Sequence, residues 1–161
     1  MSSQARQAQA AFNSSVFEHA HFLINHRLYQ LEGCGLLPKD PNGSLPLFIF
    51  SEKLSAYDYR LSSVESGRKL ALLVIEDALR RINRDDSLRS YVLNFPLSEE
   101  DLSITIHFYT SAESNEVVRA PLLALISIEE GSIRYYTWSE KEGYSLKGDE
   151  KIIDAYNISC L

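Results

Sequence analysis

The sequence predicts an α+β fold in which two long helices pack on a mostly antiparallel sheet of four to five strands. Two patterns carry this prediction. Apolar residues recur at helical spacing through residues 62–83, whereas apolar and polar residues alternate through residues 102–109 as in a half-buried strand. The predicted strands come in runs between helices, which favours an antiparallel sheet over repeated βαβ units. We expect that sheet to end in a three-stranded meander.

The segment 62–83 carries the strongest helical pattern of the chain. Ser62 is predicted to cap the first turn, and Glu65, three residues later, completes a capping box. Asp77 is spaced one turn before Arg81, so the two side chains are expected to form an ion pair. The apolar stripe that must face a core consists of Val64, Ala71, Val74, Ile75, Ala78 and Ile82.

A second long helix is predicted over residues 9–32, following a disordered tail of residues 1–8. Its apolar stripe consists of Phe12, Val16, Ala20, Leu23 and Leu31, and two glycines after residue 32 are expected to end it. Phe22 and Tyr29 lie seven residues apart on another face of this helix. Either the body of the domain covers them or they contact another chain.

The strands are predicted from short apolar or alternating runs separated by turn residues. The predicted strands cover residues 47–50, 56–61, 102–109, 122–128 and 133–138, with a hairpin turn at Glu129–Ser132. Residues 139–148 are expected to form a loop, and residues 149–156 a short closing helix. Residues 9–161 have the length of one ordinary domain, and we expect them to form a single one.

The charge of the chain is acidic and unevenly distributed. The net charge is −6, with 11 basic and 10 acidic residues in 1–89 but 5 basic and 12 acidic residues in 90–161. Nucleic acids and anionic membranes attract clustered Lys and Arg, so an acidic balance disfavours both as partners. We therefore expect no nucleic acid and no membrane partner.

Hydrophobicity and cysteine content indicate a cytoplasmic protein, unless the chain is a processed or truncated form. No apolar run approaches the roughly 18–20 residues that span a bilayer, and the first residues lack the apolar core of a signal peptide. Cys34 and Cys160 are too few and too far apart for a disulfide framework, which suits a reducing compartment.

The sequence offers no catalytic constellation, and we predict no catalytic residue, metal site or cofactor. His19 and His26 lie about 10 Å apart along the predicted helix, too far to share one metal ion. Cys34 follows the predicted C-terminal end of that helix, where the negative partial charge raises the pKa of a thiol and opposes its activation. Nucleophile-elbow, phosphate-loop, dinucleotide-binding and C-x-x-C motifs are absent from the sequence.

Aromatic residues gather in the predicted meander and suggest a function. Alternation places Tyr136 and Trp138 on one face of the strand and Tyr135 on the other. Exposed aromatic rings with few basic neighbours suit a protein partner, since Tyr and Trp dominate interface hot spots. The predicted function is a non-enzymatic protein-binding domain, such as an adaptor, a small acidic chaperone or a homodimerisation module. Its partner is another protein or a second copy, and its binding candidates are Phe22, Tyr29, Tyr109, Tyr136 and Trp138.

An alternative function from a different class stays open at this stage. The chain could be a small-molecule-binding protein or an enzyme with a pocket between the first helix and the sheet. Cys34, His107 and Tyr109 are then the candidate pocket residues. That hypothesis requires convergent polar groups in one concave site, whereas the protein-binding hypothesis requires exposed aromatic surface.

Overall fold

A computed structural model of the chain describes residues 3–12, 21–24, 27–40, 42, 45–57, 60–109 and 122–160. The helices are α1 (Ser3–Ala11), α2 (Val64–Asn83) and α3 (Ile152–Ser159). The strands are β1 (His21–Ile24), β2 (Arg27–Pro38), β3 (Phe48–Tyr57), β4 (Leu102–Tyr109), β5 (Leu123–Glu129), β6 (Ser132–Ser139) and β7 (Gly143–Lys151). Short 3-10 turns occupy Asp86–Ser90 and Glu99–Asp101.

The strands form one seven-stranded sheet in which the spatial order follows the chain order from β1 to β7. β3 and β4 are parallel, and every other neighbouring pair is antiparallel. The long connection between β3 and β4 contains α2, as a parallel crossover requires. The predicted α+β class is therefore confirmed, and the described residues contain more strands than the four to five expected.

The three described helices pack on the same face of the sheet. Of the described helices, α2 contributes the most buried side chains, through the stripe predicted for it, with Ala71, Val74, Ile75, Ala78 and Ile82 all fully buried. In α1, Ala8 is buried and the Phe12 ring lies 6.3 Å from the ring of Phe50 in β3. Ile152 and Ala155 of α3 are also buried in the core. The sheet therefore has one face covered by helices, which we call the helix face.

The ends of α2 follow from side-chain chemistry, with one correction at its start. Ser63 is the capping residue, and its hydroxyl accepts a hydrogen bond from the Ser66 amide at 3.1 Å. The predicted cap at Ser62 is therefore wrong by one residue. Asn83 ends the helix as predicted, and Arg81 binds the Asp77 carboxylate at 2.7 Å.

Where the structure describes the predicted helix over residues 9–32, only residues 9–11 are helical and the rest of the prediction is wrong. α1 ends at Ala11, and β1 and β2 form a hairpin that pairs Phe22 with Tyr29. From residue 29 to residue 32, apolar and polar residues alternate, a pattern that fits a strand as well as a helix. Pairing with β3 decides between them, and the glycines expected to end a helix lie inside β2. Part of the predicted tail, including buried Ala8, lies in α1.

The predicted loop over residues 139–148 is also wrong, because most of it belongs to β7. β7 is an edge strand without a regular apolar alternation, so the sequence gives it little strand signal. The closing helix consequently begins three residues later than predicted. The hairpin turn before β6 is confirmed, with Glu130 and Gly131 both at positive φ. The single strand β3 contains most of the predicted strand 47–50 but only residues 56–57 of the predicted strand 56–61. Residues 58–59 lie outside the described residues, and residues 60–61 are not in a strand.

A polar network joins the first half of α2 to the far edge of the sheet. Arg68 donates two hydrogen bonds to the Glu150 carboxylate, at 2.8 and 2.9 Å, in a bidentate pair. The hydroxyl of fully buried Tyr135 donates to the same carboxylate at 2.7 Å. Burial together with the adjacent Glu150 carboxylate raises the pKa of Tyr135, so the phenol remains a donor. This network holds the Tyr135 side chain on the helix face, and the alternation correctly placed it opposite to Tyr136 and Trp138.

Gly67 permits the closest approach of α2 to the sheet. A Cβ atom at this position would lie 2.7 Å from Leu123 Cδ1 and 3.0 Å from the Tyr135 ring. We expect Gly67→Val to lower the free energy of unfolding by about 2 kcal/mol or more, because a packed core resists added volume. Chemical denaturation measures the change.

Lys69→Val is the matched control, because Lys69 is exposed on the same helix. It alters only helix propensity and should cost well under 1 kcal/mol, on the order of a few tenths. Equal stabilities of the two variants would show that α2 does not pack on β5 and β6 through Gly67.

Candidate functional site

The face of the sheet opposite the helices, which we call the open face, carries large apolar side chains in contact with solvent. β4 defines it, because Ile104, Ile106 and Phe108 point to the helices and the residues between them point away. On strands β3 to β7 of the open face, five large apolar side chains are about half exposed: Tyr57 (52%), Tyr109 (47%), Trp138 (53%), Tyr144 (53%) and Leu146 (53%). With the half-buried Tyr136 they form what we call the aromatic surface.

Strand pairing arranges the open face in transverse rows. One row crosses from β3 to β7 through Ser55, His107, Leu125, Tyr136 and Leu146, each paired with the next. A second row, toward the other end of the strands, contains Lys53, Thr105, Ser127, Arg134 and Asp149. The pairs Tyr57–Tyr109 and Trp138–Tyr144 lie beyond the first row. Aromatic side chains therefore concentrate at one end of the open face, and charged ones near its middle.

The aromatic rings contact each other in ordered pairs. Tyr57 and Tyr109 stack, with ring centroids 5.4 Å apart and an interplanar angle of 23°. Tyr136 and Tyr144 meet edge to face, with centroids 6.3 Å apart. Paired rings lose less side-chain entropy when a partner covers them, because each already restricts the other. The rings of the aromatic surface therefore already restrict one another in the isolated domain.

The structure separates the predicted binding residues into three groups. Tyr109, Tyr136 and Trp138 lie together on the open face. Tyr29 is fully buried, so its ring serves the core and offers no surface in this conformation. Phe22 lies in β1 opposite Tyr29, and its side chain is outside the described part of the chain.

Sequence reasoning left Tyr57, Tyr144 and Leu146 out of the candidate site. Tyr57 ends β3, a strand that the sequence divides in two, and the other two residues lie in the edge strand predicted as a loop. A spacing of two residues between Tyr144 and Leu146 was the available signal, since residues at that spacing share a face of a strand.

The alternative pocket residues do not meet in one site. His107 and Tyr109 lie on the open face, with ring centroids 6.4 Å apart. Cys34 pairs with Glu52 on the helix face, where it packs against the core. The sheet itself therefore stands between the thiol and the imidazole. Burial lowers the pKa of His107 and nearby Lys53 adds to this, although Glu32 opposes it, which favours the neutral ring at physiological pH.

A buried ion pair occupies the helix face beside Cys34. The Glu52 side chain is fully buried and accepts a hydrogen bond from Arg81 Nη2 at 2.7 Å. Arg81 also binds Asp77, and Glu52 Oε2 has no hydrogen-bond partner among the described residues. Burial raises the pKa of Glu52 more than Arg81 lowers it, and Asp77 raises it further. Burial and the Glu52 charge likewise raise the pKa of the Cys34 thiol, which opposes nucleophilic use.

A cavity of about 530 Å³ lies away from both groups of candidates, between α3 and the hairpin turn that joins β5 to β6. Its lining includes Glu99, Glu100, Glu130, Lys151, Ile152 and Tyr156. Burial, with Glu76 and Glu99 nearby, raises the pKa of Tyr156 to about 12. The cavity is not the predicted pocket between the first helix and the sheet, because neither α1 nor β2 lines it.

The raised pKa of Glu52 predicts a pH-dependent stability. The folded state holds the proton at pH values where the unfolded carboxyl has lost it, so the free energy of unfolding falls as pH rises above about 4.5. Each unit by which the pKa is raised costs about 1.4 kcal/mol at higher pH. Denaturation of the wild type and of Glu52→Gln from pH 4.5 to pH 8 isolates this loss, which the variant should not show.

Glu150→Gln, followed from pH 8 down to about pH 3, is the control, because the contribution of Glu150 to stability should change with pH in the opposite direction. Burial alone would raise the pKa of Glu150, but hydrogen bonds from Arg68 and Tyr135 lower it below its ordinary value. Its contribution to stability is therefore present above the unfolded pKa and lost as pH falls. If the contribution of Glu52 to the free energy of unfolding grew with pH, its pKa would not be raised in the folded state.

Three further findings concern metal binding, membrane spans and related proteins. Within the described ranges, no three His, Cys, Asp or Glu side chains are arranged to hold a metal ion. None of the described helices combines the length and the apolar character needed to cross a membrane. Comparisons of the chain with protein-family models, with curated proteins and with solved structures find no significant match.

Proposed function

We propose that this chain is a non-enzymatic protein-binding domain whose partner docks on the aromatic surface of the open face. The observation that carries the proposal is the exposure of Tyr57, Tyr109, Trp138, Tyr144 and Leu146 on one face of one sheet. Monomeric proteins rarely leave large contiguous apolar patches exposed, and those that do use them for interaction. An adaptor, a small acidic chaperone and a homodimerisation module are forms of this function.

The composition of the surface favours protein over other partners. Tyr and Trp combine a large apolar area with a polar group and few rotatable bonds, which makes them common anchors at interfaces. The charged residues of the open face have both signs, with Lys53 and Arg134 accompanied by Glu32, Glu129 and Asp149. A nucleic-acid surface would need an excess of cations, so stacked bases are less suitable occupants.

The small-molecule alternative has weaker support. Its three candidate residues lie on two faces of the sheet, and the buried environment of Cys34 opposes thiolate formation. Three of the nine residues that line the cavity beside α3 are glutamates, and two of these, Glu100 and Glu130, are exposed to solvent. The described residues therefore favour a surface over a pocket as the functional region.

The proposal predicts that truncating the aromatic surface abolishes protein binding without unfolding the domain. Immobilised wild type, Trp138→Ala/Tyr144→Ala and Leu93→Ala are exposed to a lysate of the source organism, and each retained protein is then purified and titrated by calorimetry. Truncation of hot-spot residues should weaken the affinity at least about tenfold. Leu93 is exposed outside the sheet, so its variant controls for the loss of apolar area.

Two outcomes contradict the proposal. One is a partner that binds the aromatic variant and the wild type with equal affinity. The other is a domain that binds neither another protein nor a second copy of itself. Circular dichroism of the variants verifies that the fold is retained, which is expected because both substituted side chains are half exposed.

A further inference from the structure

Across the last five strands of the sheet, β3 to β7, the open face is arranged symmetrically about β5. On one side β3 and β4 carry the pair Tyr57–Tyr109, and on the other side β6 and β7 carry the pair Trp138–Tyr144. The same holds for charge in the second row, where Lys53 on β3 and Asp149 on β7 lie two strands from β5 on opposite sides. In an isologous interface both copies use the same surface. If residue i of one copy contacts residue j of the other, then residue j of the first copy contacts residue i of the second, so the two halves of the surface must be complementary.

From this symmetry we propose that the open face binds a second copy of the chain, face to face, about a two-fold axis that runs along β5. The inference rests on the proposed function and names the partner. β3 then faces β7 of the partner copy, and β4 faces β6. Tyr57 meets Tyr144, Tyr109 meets Trp138, and Leu125 meets its own copy at the axis.

Charge complementarity supports this arrangement. In the second row, Lys53 of each copy faces Asp149 of the other, which gives two equivalent ion pairs. Lys53 is exposed, and the Asp149 side chain is 49% exposed, 3.7 Å from Arg134. Both are thus available to a partner. The one like-charged meeting, Glu129 with its copy, falls at the end of β5, where the carboxylates stay hydrated.

The area of the shared strands is sufficient for a specific dimer. Five strands spaced about 4.8 Å apart, each of about eight residues rising about 3.3 Å, present a plane of roughly 24 by 26 Å. This plane covers about 600 Å² per copy, or about 1,200 Å² in total, and specific interfaces begin near that size. Two sheets stacked about 10 Å apart with a small rotation are the standard arrangement of a β-sandwich.

Charge reversal tests the two-fold axis directly. In a homodimer of Lys53→Glu, both contacts between positions 53 and 149 join two carboxylates. In a homodimer of Asp149→Lys, both contacts join two ammonium groups. Each variant alone should therefore dimerise at least about tenfold more weakly than the wild type. A one-to-one mixture should recover dimers, because in the mixed pair both contacts again join opposite charges. Sedimentation velocity measures all three samples and the wild type.

Further variants identify the surface and provide a control. Leu125→Lys, at the axis, should abolish the dimer, whereas Leu93→Ala should leave the dissociation constant within about twofold of the wild type. Trp138, the single tryptophan of the chain, should show a blue-shifted emission in the dimer that is lost on dilution.

The outcomes separate this inference from the proposed function. A wild type that remains monomeric at about 100 μM, which excludes a dimer of useful affinity, overturns the second copy as occupant. If the one-to-one mixture of the two charge variants does not recover the dimer, the proposed two-fold axis along β5 is wrong. If the monomer captures another protein in a manner that depends on Trp138 and Tyr144, the proposed function stands and the partner is heterologous. If neither association occurs, both proposals fail.

Discussion

The parallel pairing of β3 with β4 is the constraint on which the rest of the structure depends. Two parallel neighbours need a crossover, and the crossover contains α2, which must lie on one face of the sheet. Once α2 occupies that face, the apolar stripes of α1 and α3 are buried most readily beside it, since they extend the same core. All described helices therefore share one face. No described helix covers the open face, so its side chains remain in contact with solvent.

Two polar networks hold α2 on the sheet at separate points. Arg68, near its start, binds Glu150 of β7, and Arg81, near its end, binds Glu52 of β3. These residues lie about 20 Å apart along the helix axis, so the two contacts fix the direction of α2 across the strands as well as its position. Burial of Glu52 costs stability compared with an apolar residue, but a buried ion pair penalises alternative packings in which one charge lacks its partner. Packing at Gly67 then sets the distance between helix and sheet.

The sequence predicted the parts of this fold that have a strong periodic pattern. α2 and β4 were located because their apolar residues repeat at 3.6 or 2 positions. β5 was located from a continuous apolar run, and β6 from the hairpin turn that precedes it. The segment with Tyr29 and Leu31 was misread, since a short alternation fits both periods and only the distant strand β3 decides the pairing. β7 has no such pattern at all. Tyr109, Tyr136 and Trp138 were found from alternation, whereas the separation of Cys34 from His107 follows from sheet register, which no local pattern contains.

Acidic residues are less concentrated on the open face than on the rest of the described surface. Most of the excess acid lies outside the open face, for example in Glu99, Glu100 and Glu130 around the cavity beside α3. On the open face, the second row carries Lys53 and Arg134 together with Asp149, so an approaching protein meets charges of both signs. Long-range repulsion between two molecules of charge −6 is screened beyond about 8 Å at physiological salt. Short-range contact of exposed aromatic side chains then decides whether an encounter persists, and on strands β3 to β7 the exposed aromatic rings lie on the open face.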